Sequence, residues 1–423
     1  MEQSPVLPPT SSPGRRKFEF NLEALRGFAA ITVVFHHIIY HKFSLDPAYA
    51  LTGKWLYSFP GHSCVLLFFI LSGYVIGLTT TKPLVGSSIK EYGRKRLLRL
   101  YPIYFVSLLL ALLILTHQYA AKTIIGQFFF LQNSVVPLLY ENNPLWSLNN
   151  EVLYYLLFIP VSYWRLSPGR VFLATIALGV VLATVASQYV LGSYFIGFAF
   201  WISGLWLAQS TTLTKAYCSK LELAALLFMF LGYDYLNPLV TTMFVSVEKL
   251  HIPLAQRVGQ AGLFAGVTLT DFCSLPFLFY IFLRFTNHTF KGSSSFCVFI
   301  CLSSFWYYYH IVTKYGAASP EGASLALPLV LFSIGTLLLL INYIRPVTQQ
   351  AVTLPASFLK LGAISYGIYV VHFPTSLILS RITFFSGSLF SFSVRVILDV
   401  SLVIGIGYLL EKKFQPKIKS LFS

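Results

Sequence analysis

Apolar runs of about 20 residues recur from the first quarter of this chain almost to its end, and no other feature limits its folding so severely. Such a run cannot cover the surface of a water-soluble globule, and it matches the length of helix that crosses a bilayer. Charge agrees. Only 10% of the 423 residues are charged, where a soluble domain carries roughly 25%, and the mean hydropathy is +0.71. The ordinary reading of this length, two or three soluble domains, is therefore excluded. The expected fold is all-α, a polytopic transmembrane helical bundle. Candidate spans lie near residues 22–41, 57–80, 97–116, 148–164, 171–190, 194–210, 220–245, 261–284, 293–313, 325–345, 361–381 and 393–410. Those at 220–245 and 261–284 are interrupted by Asp234, Pro238, Asp271 and Pro276, which leaves 10–12 spans.

The net charge of +16 would suggest nucleic acid in a soluble protein. Here the basic residues sit between apolar segments and form no continuous patch, so the positive-inside rule accounts for them. With the N-terminus inside, Lys82, Lys90, Arg94, Lys95 and Arg96 fall in one cytoplasmic loop. Later ones take Arg165, Arg170, Lys215, Lys220, Arg284, Lys291, Arg345 and Lys360. Lys412, Lys413, Lys417 and Lys419 then make the C-terminal end cytoplasmic too, and the number of spans even. Residues 1–17, rich in Pro and Ser and closing on a basic cluster, read as a disordered cytoplasmic tail and not as a signal peptide. The membrane domain is expected over 18–415, with a short basic tail at 416–423. The five cysteines form no C-x-x-C pair and read as small core residues.

Ionisable groups inside spans cost roughly 2.5–3.5 kcal/mol each on insertion scales, so each asks for a reason. The first span holds Glu23, Arg26, His36 and His37. Eleven residues separate Arg26 from His37, which returns to within roughly 20° of the same helix face about 16 Å farther along. One face thus carries a cation near the cytoplasmic end and an imidazole past mid-membrane; taken alone, His37 reads as a hydrogen-bonded core residue, and Glu23 with Arg26 as a mutually neutralising pair at i, i+3. His37 and His41 have metal-ligand spacing, but no third ligand is evident and no metal is expected. Phe69, Ser72 and Gly73 in the second span suit either close helix packing or substrate contact. Arg94, Lys95, Arg96 and Arg99 open the third span, as membrane anchors or as a phosphate site. Glu151 sits one turn inside the fourth span, behind Trp146 and Ser147, and His372 lies mid-span in the penultimate segment. His310, Asp271 and Asp399 read as helix–helix hydrogen-bonding groups.

Five of these segments, in order, resemble the acyltransferase-3 family of integral membrane O-acyltransferases. LEALRGFAAITVVFHH is similar to the first-helix pattern of Arg, ten residues, then His, and selects Arg26 and His37. The FFILSG run supplies Phe68, Phe69, Ser72 and Gly73, and RLLRLYP supplies Arg96, Arg99, Tyr101 and Pro102. WSLNNE supplies Trp146, Ser147 and Glu151, and SYGIYVVH ends on His372. Glu23 stands where the family usually carries Asp, and Glu411-Lys412-Lys413 departs from a usual Glu-Arg-Pro. The 190–350 region matches no motif and is expected to decide acceptor choice.

The resemblance implies transfer of an acyl group, commonly acetyl, from acetyl-CoA or another acyl-CoA to a hydroxyl of a carbohydrate or glycolipid, at the lipid bilayer of a bacterial inner (plasma) membrane. Neutral imidazole suits the general base that a sugar hydroxyl needs, which points to His37. Glu151 would orient that ring. Arg26, Ser72 or Trp146 would meet the oxyanion, and Arg96 and Arg99 would hold the CoA phosphates. Phe69, Ser72, Gly73, Trp146, Ser147 and His372 are the expected substrate-binding positions. An acyl-enzyme route through Ser or Tyr stays open, as does the rival class, a secondary transporter using buried His and Glu.

Overall fold

Backbone polar groups have no water to bond in a bilayer, so the apolar runs close their hydrogen bonds internally and become helices. The computed structural model describes residues 20–40, 45–53, 56–184, 189–249, 266–344 and 356–422. The expectations for residues 1–17, His41 and Arg345 lie outside them.

In chain order the helices are α1 (Phe20–Tyr40), α2 (Gly61–Thr79), α3 (Ser87–Leu113), α4 (Ala121–Phe128), α5 (Trp146–Tyr163), α6 (Pro168–Thr184), α7 (Tyr189–Gln209), α8 (Lys220–Leu236) and α9 (Pro238–Lys249). There follow α10 (Leu275–Phe285), α11 (Ser293–Tyr315), α12 (Pro320–Ser324), α13 (Ala326–Ile344), α14 (Ala356–Gly362), α15 (Ser365–Ser380), α16 (Leu389–Tyr408) and α17 (Gln415–Leu421). A two-residue strand pair, Thr214–Lys215 with His288–Thr289, is the sole sheet among the described residues. The fold is an all-α polytopic bundle in which eight of the described helices are long and apolar enough to cross a membrane.

Every expected span contains a helix, with two adjustments. Residues 220–245 break at Asn237, between α8 and α9. Of 261–284, residues 268–274 form a capped 3-10 turn, with Asp271 accepting from the Thr268 amide. The 11-residue α10 that follows is about 16 Å long, about half of a hydrocarbon core.

The centre of the bundle is α1, α2, α7 and α15. α2 and α7 cross so closely that a Cβ on Gly73 would lie 1.8 Å from the Trp201 carbonyl oxygen, and one on Gly204 would lie 1.9 Å from that of Ile70. Gly73 therefore packs two backbones together and is absent from the cavity wall, unlike its neighbour Ser72. α11, α13 and α16 lie outside this centre and leave Leu, Val, Ile and aromatic side chains exposed, as a lipid-facing surface does. At one end, Arg395 of α16 is buried and donates to the carbonyls of Leu45, Leu379, Ile382, Phe384 and Phe385. It closes the loops there. Near the C-terminus a π-helical turn, Leu409–Phe414, leads into α17, and Arg94 donates to the Phe422 carbonyl.

Candidate active site

α1, α2, α3, α5 and α15 surround a cavity of about 490 Å³. Its wall carries four cations, Arg26, Arg96, Arg99 and Lys412, with two carboxylates, Glu23 and Glu151. Hydroxyls of Ser72, Ser147, Tyr155, Ser365, Tyr366 and Tyr369 add to the polar lining, and Val65, Phe68, Phe69 and Leu148 are among its apolar residues. Charges concentrated this way inside an apolar bundle are costly unless a ligand of opposite sign repays them.

Each cation is held differently. Arg26 Nη1 donates to Glu23 Oε1 at 3.0 Å, so the pair expected from the i, i+3 spacing forms and also lines the cavity. Arg99 Nη1 donates to Glu411 Oε2 at 3.1 Å. Glu411 also accepts from the Gly367 amide, which ties α3, α15 and the π-helical turn together. Among the described residues, Arg96 has no carboxylate partner. Its guanidinium lies over the rings of Tyr92 and Tyr155 at 5.5 and 5.8 Å, and its buried Nε makes no hydrogen bond. The two readings of the basic cluster thus divide between its members. Arg94 and Lys95 are exposed and face away, Lys95 pairing with Glu91, while Arg96 and Arg99 turn inward.

With the N-terminus inside, the third span opens at the cytoplasmic face and the fourth at the external one, which sets Arg99 and Glu151 at opposite depths, yet they line one cavity. Hydropathy placed the third span at 97–116, whereas α3 begins at Ser87, so Arg96 and Arg99 occupy its third and fourth turns instead of its mouth. Glu151 Oε1 accepts from Tyr155 OH at 2.5 Å and from Ser72 Oγ at 3.0 Å. Trp201 Nε1 donates to Ser72 Oγ at 3.2 Å. These hydrogen bonds place Glu151 among hydroxyls.

The ring expected to lean on Glu151 meets another imidazole. His37 Nδ1 lies 2.9 Å from the Val33 carbonyl oxygen and 3.2 Å from His372 Nε2, with ring centroids 4.8 Å apart. His372, fully buried, has its Nδ1 2.6 Å from the Tyr369 carbonyl oxygen. A carbonyl only accepts, so both Nδ1 atoms carry protons. His372 Nε2 is then the acceptor for His37 Nδ1–H, and in the neutral His37 ring Nε2 is the basic atom. His372, an expected substrate-binding position, lies against His37 and is not among the residues that line the cavity. The pair stands next to the cavity: Tyr369 is in the wall, 5.9 Å from the His372 ring and from Phe68 between centroids.

Of the other expected positions, Phe69, Ser72 and Ser147 line the cavity, and Ser147 Oγ lies 2.6 Å from Tyr369 OH. Trp146 stands one layer away, against Phe69 and His62. Asp399 accepts from Ser376 on the neighbouring helix, as a helix–helix group should, and His310 stacks on Trp306 on an exposed face. Among the described residues, no group of three His, Cys, Asp or Glu side chains is placed to hold a metal ion. Residues that the sequence did not single out are Tyr155, Tyr366, Tyr369 and Lys412. Two of these were legible: Tyr366 and Tyr369 are the tyrosines of the SYGIYVVH run. Lys412 reaches the wall only through the π-helical turn, which no pattern announces.

Bundle and cavity together define a multi-pass membrane protein with a cationic polar chamber at its centre. Residues 19–243, more than half of the chain, match the acyltransferase-domain family, and the chain belongs to that family. It is also 29% identical over 186 residues, 43% of this chain, to a protein of Acidianus two-tailed virus named "Putative acetyltransferase ORF330". The chain spans about half the length of that relative. No solved structure matched the chain. The SYGIYVVH run and Glu411 lie beyond the family match.

Proposed function

We propose that the protein transfers an acyl group, acetyl in the simplest case, from acyl-CoA to a hydroxyl of a carbohydrate or glycolipid acceptor. One observation carries this reading: four cations line a chamber inside a membrane bundle, and Arg96 keeps a buried, unbonded Nε there. Phosphate oxygens are the ligand such a guanidinium fits, and CoA supplies them on the donor side of the reaction. Arg96, Arg99 and Lys412 hold the phosphates, and the apolar wall of Val65, Phe68 and Phe69 accommodates the thioester arm. His37 Nε2 takes the proton of the acceptor hydroxyl as its oxygen attacks the thioester carbon. The C–S bond then breaks, and the proton passes to the departing thiolate as CoA-SH. His372 positions His37, while Glu151 orders the hydroxyls of Ser72 and Tyr155.

The basic end, with both termini, faces the cytoplasm, in line with the positive-inside rule, and the membrane is a bacterial plasma membrane. Membranes expressing wild type should incorporate label from radiolabelled acetyl-CoA into an ester. His37→Ala should insert normally and incorporate none, and Arg96→Ala should raise the KM for acetyl-CoA. Incorporation by His37→Ala equal to wild type would sink the assignment of the base. A wild type that transports a solute and acylates nothing would favour the transporter class.

A further inference from the structure

On α2 the cavity lining ends at Val65, and the helix continues beyond it towards its N-terminus. His62 lies three residues earlier, on the same face as Val65, Phe69 and Ser72, about 15 Å from Ser72 along the axis. Its Nε2 is 3.0 Å from Asp271 Oδ2, and Asp271 is itself fixed by the Thr268 amide and hydroxyl. The ring stacks on Trp146 with centroids 5.8 Å apart and planes 20° apart. An ionised carboxylate only accepts, so Nε2 carries the proton, and Nδ1 is the atom that the fold leaves for something else. No described residue hydrogen-bonds Nδ1, and the side chain is 39% exposed. Asp234, which accepts from Ser63 of α2, is near enough to interact electrostatically with both His62 and Asp271. Stacking and a tethered carboxylate hold this imidazole in one orientation, a costly arrangement for a ring with nothing to bind.

The chemistry here is opposite in sign to that of the chamber. Four cations and two carboxylates line the cavity, whereas two carboxylates and one imidazole form this cluster. A phosphate-bearing donor is therefore repelled from the His62 end, and an anionic acceptor would be too. A neutral, hydroxyl-rich molecule is not: its O–H groups can hydrogen-bond Nδ1 and approach the carboxylates without repulsion.

We propose that His62, held by Asp271 and Trp146, together with Asp234, forms the binding site for the acceptor, and that this acceptor is an uncharged polyol such as a hexose unit. The proposal rests on the acyltransferase reading for the reaction, but the binding site stands on its own geometry. Asp271 falls beyond the family match, in the 190–350 region expected to decide acceptor choice.

The test is binding of methyl α-glucoside, with glucuronate as the anionic comparison, to the full chain in detergent by titration calorimetry. Acetyl transfer to the same sugar is measured in parallel. Wild type should bind the glucoside, and glucuronate about tenfold more weakly. His62→Phe keeps an aromatic ring on Trp146 and removes Nδ1. It should weaken glucoside binding about tenfold or more and raise the acceptor KM likewise, with the KM for acetyl-CoA within about twofold of wild type. Asp234→Asn should narrow the preference for glucoside over glucuronate. Unchanged acetyl-CoA binding certifies that each variant is folded. Glucoside binding that His62→Phe leaves intact overturns the proposal, as does a wild type that binds neither sugar. A wild type that binds glucoside through His62 yet transfers no acetyl group refutes acyl transfer and retains the site.

Discussion

Removing the Nε2 acceptor of His372 isolates what the imidazole pair contributes. His37 Nδ1–H has two acceptors, the Val33 carbonyl at 2.9 Å and His372 Nε2 at 3.2 Å. In His372→Leu the Val33 carbonyl remains, so the tautomer survives and only orientation suffers. The loss is one hydrogen bond, about 1–2 kcal/mol of transition-state stabilisation, or about 5–30-fold in kcat. Losing the base itself costs about 10²–10⁴, so the two variants should separate clearly. His372→Gln puts an amide oxygen near the position of Nε2 and should recover most of the loss. The assay is steady-state acetyl transfer with both substrates varied. The effect should fall on kcat and leave the KM for acetyl-CoA unchanged, because His372 is outside the cavity wall. A wild-type kcat in His372→Leu would refute the coupling of the rings. A loss as deep as that of His37→Ala would make His372 the base.

Gly73→Ala should destabilise the protein by about 1–3 kcal/mol, because its new Cβ meets the Trp201 carbonyl, and thermal melting in detergent measures it. Arg99→Ala strips the buried Glu411 of its cation and should cost about 3–5 kcal/mol of stability. Lys412→Ala, at an exposed position, should leave melting unchanged and weaken acyl-CoA binding. Glu141, in the turn before α5, carries its own pH dependence. Burial pushes its carboxyl up, but the Thr116 hydroxyl and amide and Tyr119 outweigh that and bring it down to about 2 from an ordinary 4.5. A depressed folded value stabilises above the unfolded one, so this contribution is complete above about pH 4.5 and is lost as pH falls towards about 2. Glu141→Gln should flatten that part of the melting-temperature profile, and an unaltered profile would refute the assignment.

The helices were legible in the sequence because insertion into lipid is decided locally, by length and hydropathy, and each apolar run holds a helix. Where polar groups interrupt the run around Asp271, length alone overestimated the span. The residues of the chamber were also legible one at a time, since buried charges are conspicuous in so apolar a chain. Their partners were not. Glu151 was matched to His37 by topology, and the third span was started at its first apolar residues. Ten further residues of polar helix moved Arg96 and Arg99 inward to meet Glu151 instead. Nor does the sequence hint that His372 lies 3.2 Å from a histidine 335 positions away. His62 and Asp271 come together only through tertiary packing, and no spacing rule could have joined them.

The account turns on whether His37 promotes acyl transfer from CoA to a hydroxyl. The most direct measurement follows free CoA thiol and newly formed ester together, using purified wild type and His37→Ala with acetyl-CoA and a hydroxylic acceptor. The account predicts one thiol released per ester formed by wild type, and neither by a folded His37→Ala that still binds acetyl-CoA. Ester formation at the wild-type rate by His37→Ala, or thiol release without ester in wild type, would contradict it.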